Sequence, residues 1–402
     1  MIAPERVVEL ARELGPDGVP AYVYDLTALD AHAAAIRAAL PRGVEFYYAV
    51  KANPDAAVLR TLARHTDGFE VSSGGELAHT AAASPDRPLA FGGPGKTPAE
   101  LAAALDLAAA PDLAAAPGGG TTRFHVESPH ELALLDQAAR AAGQRADVLL
   151  RVNLPGQEEQ AALVMGGKPS PFGMDVELLR RCTPFPRSVR LRGLHAHLAS
   201  GVGADGLLAA AGRLLSFGRQ WCAEQGVTEP EFNLGGGMAV DYTRPDAVFD
   251  WPAYGRGLAG LARPGETLRI EPGRAVTAYC GWYLTRVLDV KHSHGEAFAV
   301  VAGGTHHLRT PAAKGHDQPF AIVAVDDWAP PWPRPGVRDE AVTIAGQLCT
   351  PKDVLARRVR VGRLRALRVG DLVAFGLAGA YAWNISHHGF LMHPPPAFHY
   401  LP

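Results

Sequence analysis

An α/β barrel of eight parallel strands followed by a β-domain is the architecture that this 402-residue sequence predicts, on three observations. Eight short β-rich runs alternate with Ala- and Leu-rich stretches of helical character as far as residue 271. After Pro272 the long helical stretches cease, and strand-like runs follow one another across turns. With 47% hydrophobic residues, a chain of this length buries a large core and divides more naturally into two domains than one.

The elements follow in order. Val7, Leu10, Ala11 and Leu14 fall at helical spacing and predict a short amphipathic helix at the N-terminus. AYVYDL, from residue 21, is strand-like and precedes the first barrel helix, which places the N-terminal segment with the β-domain. The eight barrel runs are FYYAV (46–50), GFEVS (68–72), PLAF (88–91), TRFHV (122–126), DVLLRV (147–152), GLHAHL (193–198), EFNL (231–234) and TLRIE (267–271). Between them, stretches such as AAVLRTLARH and PHELALLDQAARAAG carry apolar residues at three- and four-residue spacing and predict the return helices. WYLTRVLDVK, EAFAVVAG, FAIVAV, AVTIAG and RVGRLRALRVGDLVAFG then read as strands. The predicted division is a barrel over 28–275 and a β-domain made of 1–27 and 276–402.

Composition narrows the function. Lysine and arginine total 39 against 41 acidic residues, so no charge asymmetry points to a nucleic-acid groove or an anionic membrane, and a small molecule is the expected partner. Glu5, Arg6, Glu9, Arg12 and Glu13 interrupt any apolar signal-peptide core. The most apolar tract, LAAALDLAAAPDLAAAP, is broken by Asp106, Pro111 and Asp112, short of the roughly 20 apolar residues of a membrane span. A soluble, cytoplasmic protein is expected. Cys182, Cys222, Cys280 and Cys349 form no CxxC pair, which indicates neither a zinc site nor a disulfide framework.

Reactive groups collect at the C-terminal ends of barrel strands. Lys51, in YAVKAN, ends the first barrel strand; it reads either as a solvated charge or as an amine whose neutral, nucleophilic form is favoured by partial desolvation. His197 lies at the end of the sixth. Gly235, Gly236 and Gly237 follow the seventh, where a tight turn can present backbone N–H groups to an anion, and Arg274 follows the eighth. Glu271 is either a solvated acid before a Pro-Gly turn or a carboxylate that keeps a pyridine nitrogen protonated, turning the ring into an electron sink.

With these residues in their slots, the chain resembles the fold-type III pyridoxal-phosphate decarboxylases, the ornithine, diaminopimelate and arginine decarboxylase group, whose barrel is alanine racemase-like. The resemblance runs through PAYVYD (20–25), YAVKAN, EVSSGGEL (70–77), SPFGM (170–174), GLHAHLASG (193–201), NLGGGM (233–238), EPGR (271–274), CTPKDVL (349–355) and GAY (379–381), in the family's order. It implies pyridoxal 5′-phosphate as cofactor, carried by Lys51 as a Schiff base, with His197 stacked on the ring and Glu271 at its nitrogen. It further implies that Ser200, Gly236, Gly237, Arg274 and Tyr381 hold the phosphate, with Gly235 and Gly273 also in the cofactor site. Cys349 and Asp353 are implied to enter the neighbouring subunit's site, Cys349 as proton donor to Cα, which makes a homodimer the expected catalytic unit.

A narrower likeness lies in GGTHHLRTPAAKGHDQPF (303–320), CTPKDVLAR (349–357) and GAYAWNISHHGFLMHPPP (379–396). These segments are similar to the branch of siderophore and other specialised-metabolite pathways, where citryl-diaminopropionate-type substrates are decarboxylated. Thr350 follows Cys349 where diaminopimelate decarboxylases commonly carry a glutamate for the distal amine, which weakens a lysine-biosynthesis reading and leaves a diaminopimelate or basic amino-acid decarboxylase as the alternative. Thr350, Asp353 and His316 are the expected substrate contacts. His306, His307, His316, His387 and His388 lack a carboxylate or cysteine at ligand spacing, and no metal is expected there. An amino-acid racemase of the same architecture would place an arginine at the ring nitrogen, against the glutamate of EPGR. A non-catalytic homologue would have lost cofactor-holding residues, whereas Lys51, Glu271, Arg274 and Cys349 are all present.

Overall fold

The computed structural model describes residues 1–109, 122–155, 163–164, 167–197, 199–362 and 366–402. Pro111 and Asp112 of the Ala-rich tract, Leu198 of the sixth barrel run and 363–365 of the RVGRLRALRVGDLVAFG run fall outside these residues. The chain forms two compact units: Asp30–Ala239 with Phe249–Val276, and Met1–Leu29 with Val240–Val248 and Thr277–Pro402.

A strand β1 (Ala21–Asp25) belongs to the second of these units. The first unit is a closed barrel of β2 (Val44–Ala49), β3 (Gly68–Val71), β4 (Leu89–Phe91), β5 (Arg123–Val126), β6 (Ala146–Arg151), β7 (Val189–His195), β8 (Glu231–Asn233) and β9 (Thr267–Ile270). Each strand pairs in parallel with the next in sequence, and β9 closes on β2 through Leu268↔Val44 and Ile270↔Phe46. All eight runs anticipated from the sequence form this barrel. Burial on both faces makes such strands near-continuous apolar runs, and Phe46, Tyr48, Phe69, Phe91, Phe124 and Phe232 are buried accordingly.

Sequence signals also set the return helices. Asp55 caps Ala56–Leu62, its side chain accepting from the amides of Ala57 and Val58. Thr97 and Glu100 form a reciprocal capping box at the start of Pro98–Ala108, and Ser128 caps Pro129–Ala141. Near the N-terminal ends of the strands, Glu231 gathers Arg123 (2.8 Å), Arg192 (2.8 Å) and Arg269 (3.3 Å). Burial alone would raise the Glu231 carboxyl, but these guanidinium groups bring it down to about 2. One end of the barrel is thereby plugged by ion pairs.

The second unit is an eight-stranded sheet. Its main path runs β12 (Phe320–Val323), β15 (Leu372–Phe375), β10 (Gly281–Ser293), β11 (Glu296–Val301), β13 (Ala341–Ala345) and β14 (Val354–Arg360). β1 pairs antiparallel with β10 and parallel with β16 (Ala397–Leu401), so the N-terminal segment joins this sheet. The N-terminal helix Glu5–Leu14 packs Val7 and Ala11 into a cluster with Val23, Leu284, Val323 and Leu372, as its spacing anticipates. Among the described residues, no helix is long and apolar enough to cross a membrane.

Candidate active site

Six of the eight barrel strands, β2, β3, β5, β7, β8 and β9, carry a polar or charged group of this site at or near the C-terminal end. Lys51 sits in the short 3₁₀ turn Val50–Ala52 after β2. Its backbone is tied to the EPGR turn, because the amide of Ala49 donates to the carbonyl of Pro272 at 3.1 Å. Gly273 has no room for a side chain there: a Cβ would lie 2.8 Å from that of Ala52. The Lys51 side chain, 42% exposed, pairs with Glu70 at the end of β3. Burial pushes the Glu70 carboxyl up, but the Lys51 ammonium and the Ser72 hydroxyl outweigh it and hold the acid below its ordinary value.

Glu271 follows β9 and is 7% exposed. Burial, and then the nearby charge of Glu70, push its carboxyl up to about 7. Asn233 at the end of β8 donates to Glu271 Oε1 at 2.6 Å. His125 on β5 and His195 on β7 stack at 4.1 Å with planes 29° apart. Their Nε2 atoms stand 3.8 and 3.6 Å from the two oxygens of Glu271. His125, His195 and Glu271 thus have donor atoms close enough to suggest a metal site. Asn233 Nδ2, however, lies 3.3 Å from Nε2 of His125 and takes up the lone pair that a metal would need there.

The glycine turn completes this face. Gly235 adopts φ +68°, and a Cβ on Gly236 would fall 2.3 Å from the carbonyl oxygen of Glu271. The amide of Gly236 donates to Nδ1 of His197 at 3.1 Å, and the carbonyl of Gly237 accepts from the amides of Gly201 and Val202. Ser200 is half-buried and pairs with Leu163 in a two-residue strand. The SPFGM segment docks on the end of β6: Arg151 reaches Glu127 at 2.7 Å, and Glu127 accepts from the amide of Gly173 at 3.0 Å.

The barrel unit therefore brings together Lys51, His197, Gly235 to Gly237, Glu271 and Gly273, with Arg274 opening the next helical turn. The sequence reading missed Glu70, His125, His195 and Asn233. A signal existed for His195: in GLHAHL it stands two residues from His197, and alternation puts both on one side of the strand.

Cys349, Thr350, Asp353, His316 and Tyr381 lie in the β-unit. Cys349 is exposed. Asp353, expected to contact substrate, is corrected: it is 1% exposed, and its two oxygens accept from the amides of Thr305 (2.6 Å) and Leu348 (2.8 Å). A carboxylate buried and held in this way fixes the loop carrying Cys349. His316 stacks on Tyr242 at 4.0 Å in a cleft of about 1460 Å³ within this unit. Tyr381 adopts φ +49°.

The buried histidines give a pH prediction. Burial holds His125 and His195 well below the ordinary value of 6.5, and burial followed by the Lys51 charge brings His197 to about 3. Each is neutral when folded and takes up a proton on unfolding below 6.5, so stability falls as pH drops, by about 1.4 kcal/mol per histidine per pH unit. Glu271 acts oppositely between 4.5 and about 7, where the folded state holds the extra proton. Three groups outweigh one. Urea unfolding of the cofactor-free protein is expected to show a lower midpoint at about pH 5.5 than at about pH 7.5.

Residues 26–278 match the family model described as pyridoxal-dependent decarboxylase, pyridoxal binding domain. The chain is 36% identical to the 2-[(L-alanin-3-ylcarbamoyl)methyl]-2-hydroxybutanedioate decarboxylase of Staphylococcus aureus, over 94% of this chain and 93% of that protein. It is 31% identical to the L-glutamyl-[BtrI acyl-carrier protein] decarboxylase of Niallia circulans (94% and 87%) and 32% identical to the diaminopimelate decarboxylase of Pseudomonas aeruginosa (94% and 87%). In fold it is similar to the diaminopimelate decarboxylase of Helicobacter pylori, with a TM-score of 0.82 at 22% identity, covering 96% of this chain and 92% of that one.

Proposed function

The chain belongs to the pyridoxal-dependent decarboxylases, and from that premise we propose that its substrate is an α-amino acid joined through an amide to a carboxylate-rich tail, of the citryl-diaminopropionate type. The printed name of the Staphylococcus aureus relative describes such a molecule: an alanine whose C3 is linked through a carbamoyl group to a hydroxybutanedioate. Thr350 carries the reading. An amide-linked, anionic tail has no distal ammonium, so a hydroxyl beside Cys349 costs nothing where a diaminopimelate substrate would need an acid. The activity then lies in siderophore or other specialised-metabolite synthesis, in the cytoplasm.

The residues fit pyridoxal 5′-phosphate: a half-exposed lysine, a buried acid and a glycine turn with no room for a Cβ at Gly235 or Gly236 stand at one barrel mouth. When bound, the cofactor supplies an electron sink for the charge left at Cα. Lys51 would tether it, Glu271 would hold a proton at its ring nitrogen, and His197 would stack on the ring. Ser200, Gly236, Gly237, Arg274 and Tyr381 would hold its phosphate, with Gly235 and Gly273 shaping the turns beside it. Cys349, on the loop that Asp353 fixes, returns the proton to Cα in the site of a second copy, so the working unit is a homodimer. Thr350 and His316 belong to the substrate side.

The test is CO2 release from citryl-diaminopropionate, meso-diaminopimelate, ornithine, lysine and arginine. The conjugate is expected to exceed the others in kcat/KM by at least about tenfold, the worth of one charge-assisted contact. Turnover of meso-diaminopimelate alone would refute the substrate, and loss of optical rotation without CO2 would refute decarboxylation.

A further inference from the structure

Glu271 does not stand alone at the barrel mouth. Asn233 donates from Nδ2 to Oε1 of the acid at 2.6 Å, and its Oδ1 accepts from the amide of Gly235 at 2.9 Å. One side chain thus joins the acid to the glycine turn. His125 and His195 lie against the same carboxylate, at 3.8 and 3.6 Å, and a movement of a few tenths of an ångström would bring His195 to hydrogen-bonding length. All four residues are less than a tenth exposed. Among the described residues, both ring nitrogens of His195 and Nδ1 of His125 are buried without a partner. Unpaired buried nitrogens are costly, so two of these rings in one apolar barrel need a reason.

The reason lies in what imidazole offers a neighbouring acid. A lysine or arginine would compete with the cofactor for the carboxylate, and an apolar side chain would leave Oε2 without a donor. Burial, with Arg269 next for His125 and with the His125 ring next for His195, keeps both rings neutral. His195 can then present an N–H to Oε2 without a competing charge. Asn233 donates to Oε1 and, from the same Nδ2, to Nε2 of His125 at 3.3 Å, which fixes the ring stacked on His195.

We propose that His125, His195 and Asn233 are positioning residues that form a neutral seat for Glu271 and keep its carboxylate directed at the cofactor's ring nitrogen. The inference rests on the role given to Glu271 above.

A cofactor without that nitrogen separates this role from simple packing. Equilibrium binding of pyridoxal phosphate and of its 1-deaza analogue, which has C–H in place of the ring nitrogen, is measured on the unaltered chain, His195→Phe and His195→Gln. The unaltered chain is expected to bind the natural cofactor about tenfold or more tightly than the analogue. His195→Phe should lose at least about threefold of that preference while binding the analogue normally, and His195→Gln, which keeps an N–H donor, should retain it. Asn233→Ala carries the expectation of the phenylalanine variant should that variant not fold. An equal loss of both affinities, or an unchanged preference in both variants, would overturn the seat. Equal binding of the two cofactors by the unaltered chain would instead overturn the role of Glu271, and the seat with it.

Discussion

Replacing Lys51 with alanine is expected to give a colourless protein that releases CO2 at a rate lower by on the order of a thousandfold or more. Two losses combine in that variant. The tether of the cofactor disappears, and Glu70, whose side chain is 6% exposed, loses the ammonium that holds it ionised. Lys51→Arg separates them. An arginine keeps a permanent cation beside Glu70, but its delocalised guanidinium does not act as a nucleophile. It is expected to restore stability toward that of the unaltered chain and to remain as inactive as the alanine variant. Denaturant midpoints and CO2 release on the two variants check both halves. Turnover by Lys51→Arg near the native rate would remove the covalent role, since a bare positive charge would then suffice.

The barrel was legible in the sequence because parallel strands buried on both faces leave short apolar runs, and because glycine, proline and capping residues punctuate the helices between them. The residues that end those runs, Lys51 and Glu271 above all, could be located from the barrel rule alone. What escaped was polar and lay inside the strands. His125 in TRFHV and Asn233 in EFNL look like interruptions of an apolar run, and only the closed barrel shows that they meet each other beside one carboxylate. Asp353 failed for a related reason. An acid near a reactive cysteine resembles a substrate ligand in one dimension, whereas in three it satisfies the amides of Thr305 and Leu348. The strand Ala397–Leu401 was missed altogether, because its parallel pairing with Ala21–Asp25 joins opposite ends of the chain and leaves no local signal.

Glu271→Gln is expected to lower kcat by on the order of a hundredfold while leaving the cofactor bound and KM little changed. The substitution preserves shape: the amide oxygen can still accept from Asn233 at the position where Oε1 now lies 2.6 Å from Nδ2. What changes is the group offered to the ring. Burial and the charge of Glu70 push the acid up to about 7, so an ionised Glu271 is uncomfortable until a cation comes within reach. A protonated ring nitrogen would be such a partner, and the pair would hold its proton where the electron sink needs it. A glutamine amide turns a donor toward that nitrogen and favours its unprotonated form, which weakens the sink without disturbing Lys51 or the glycine turn. Absorbance of the bound cofactor should therefore persist while CO2 release falls, the reverse of the Lys51→Ala outcome. Undiminished kcat in Glu271→Gln, with the cofactor fully bound, would mean that this acid does not govern the ring nitrogen and that the chemistry draws its driving force from elsewhere in the site.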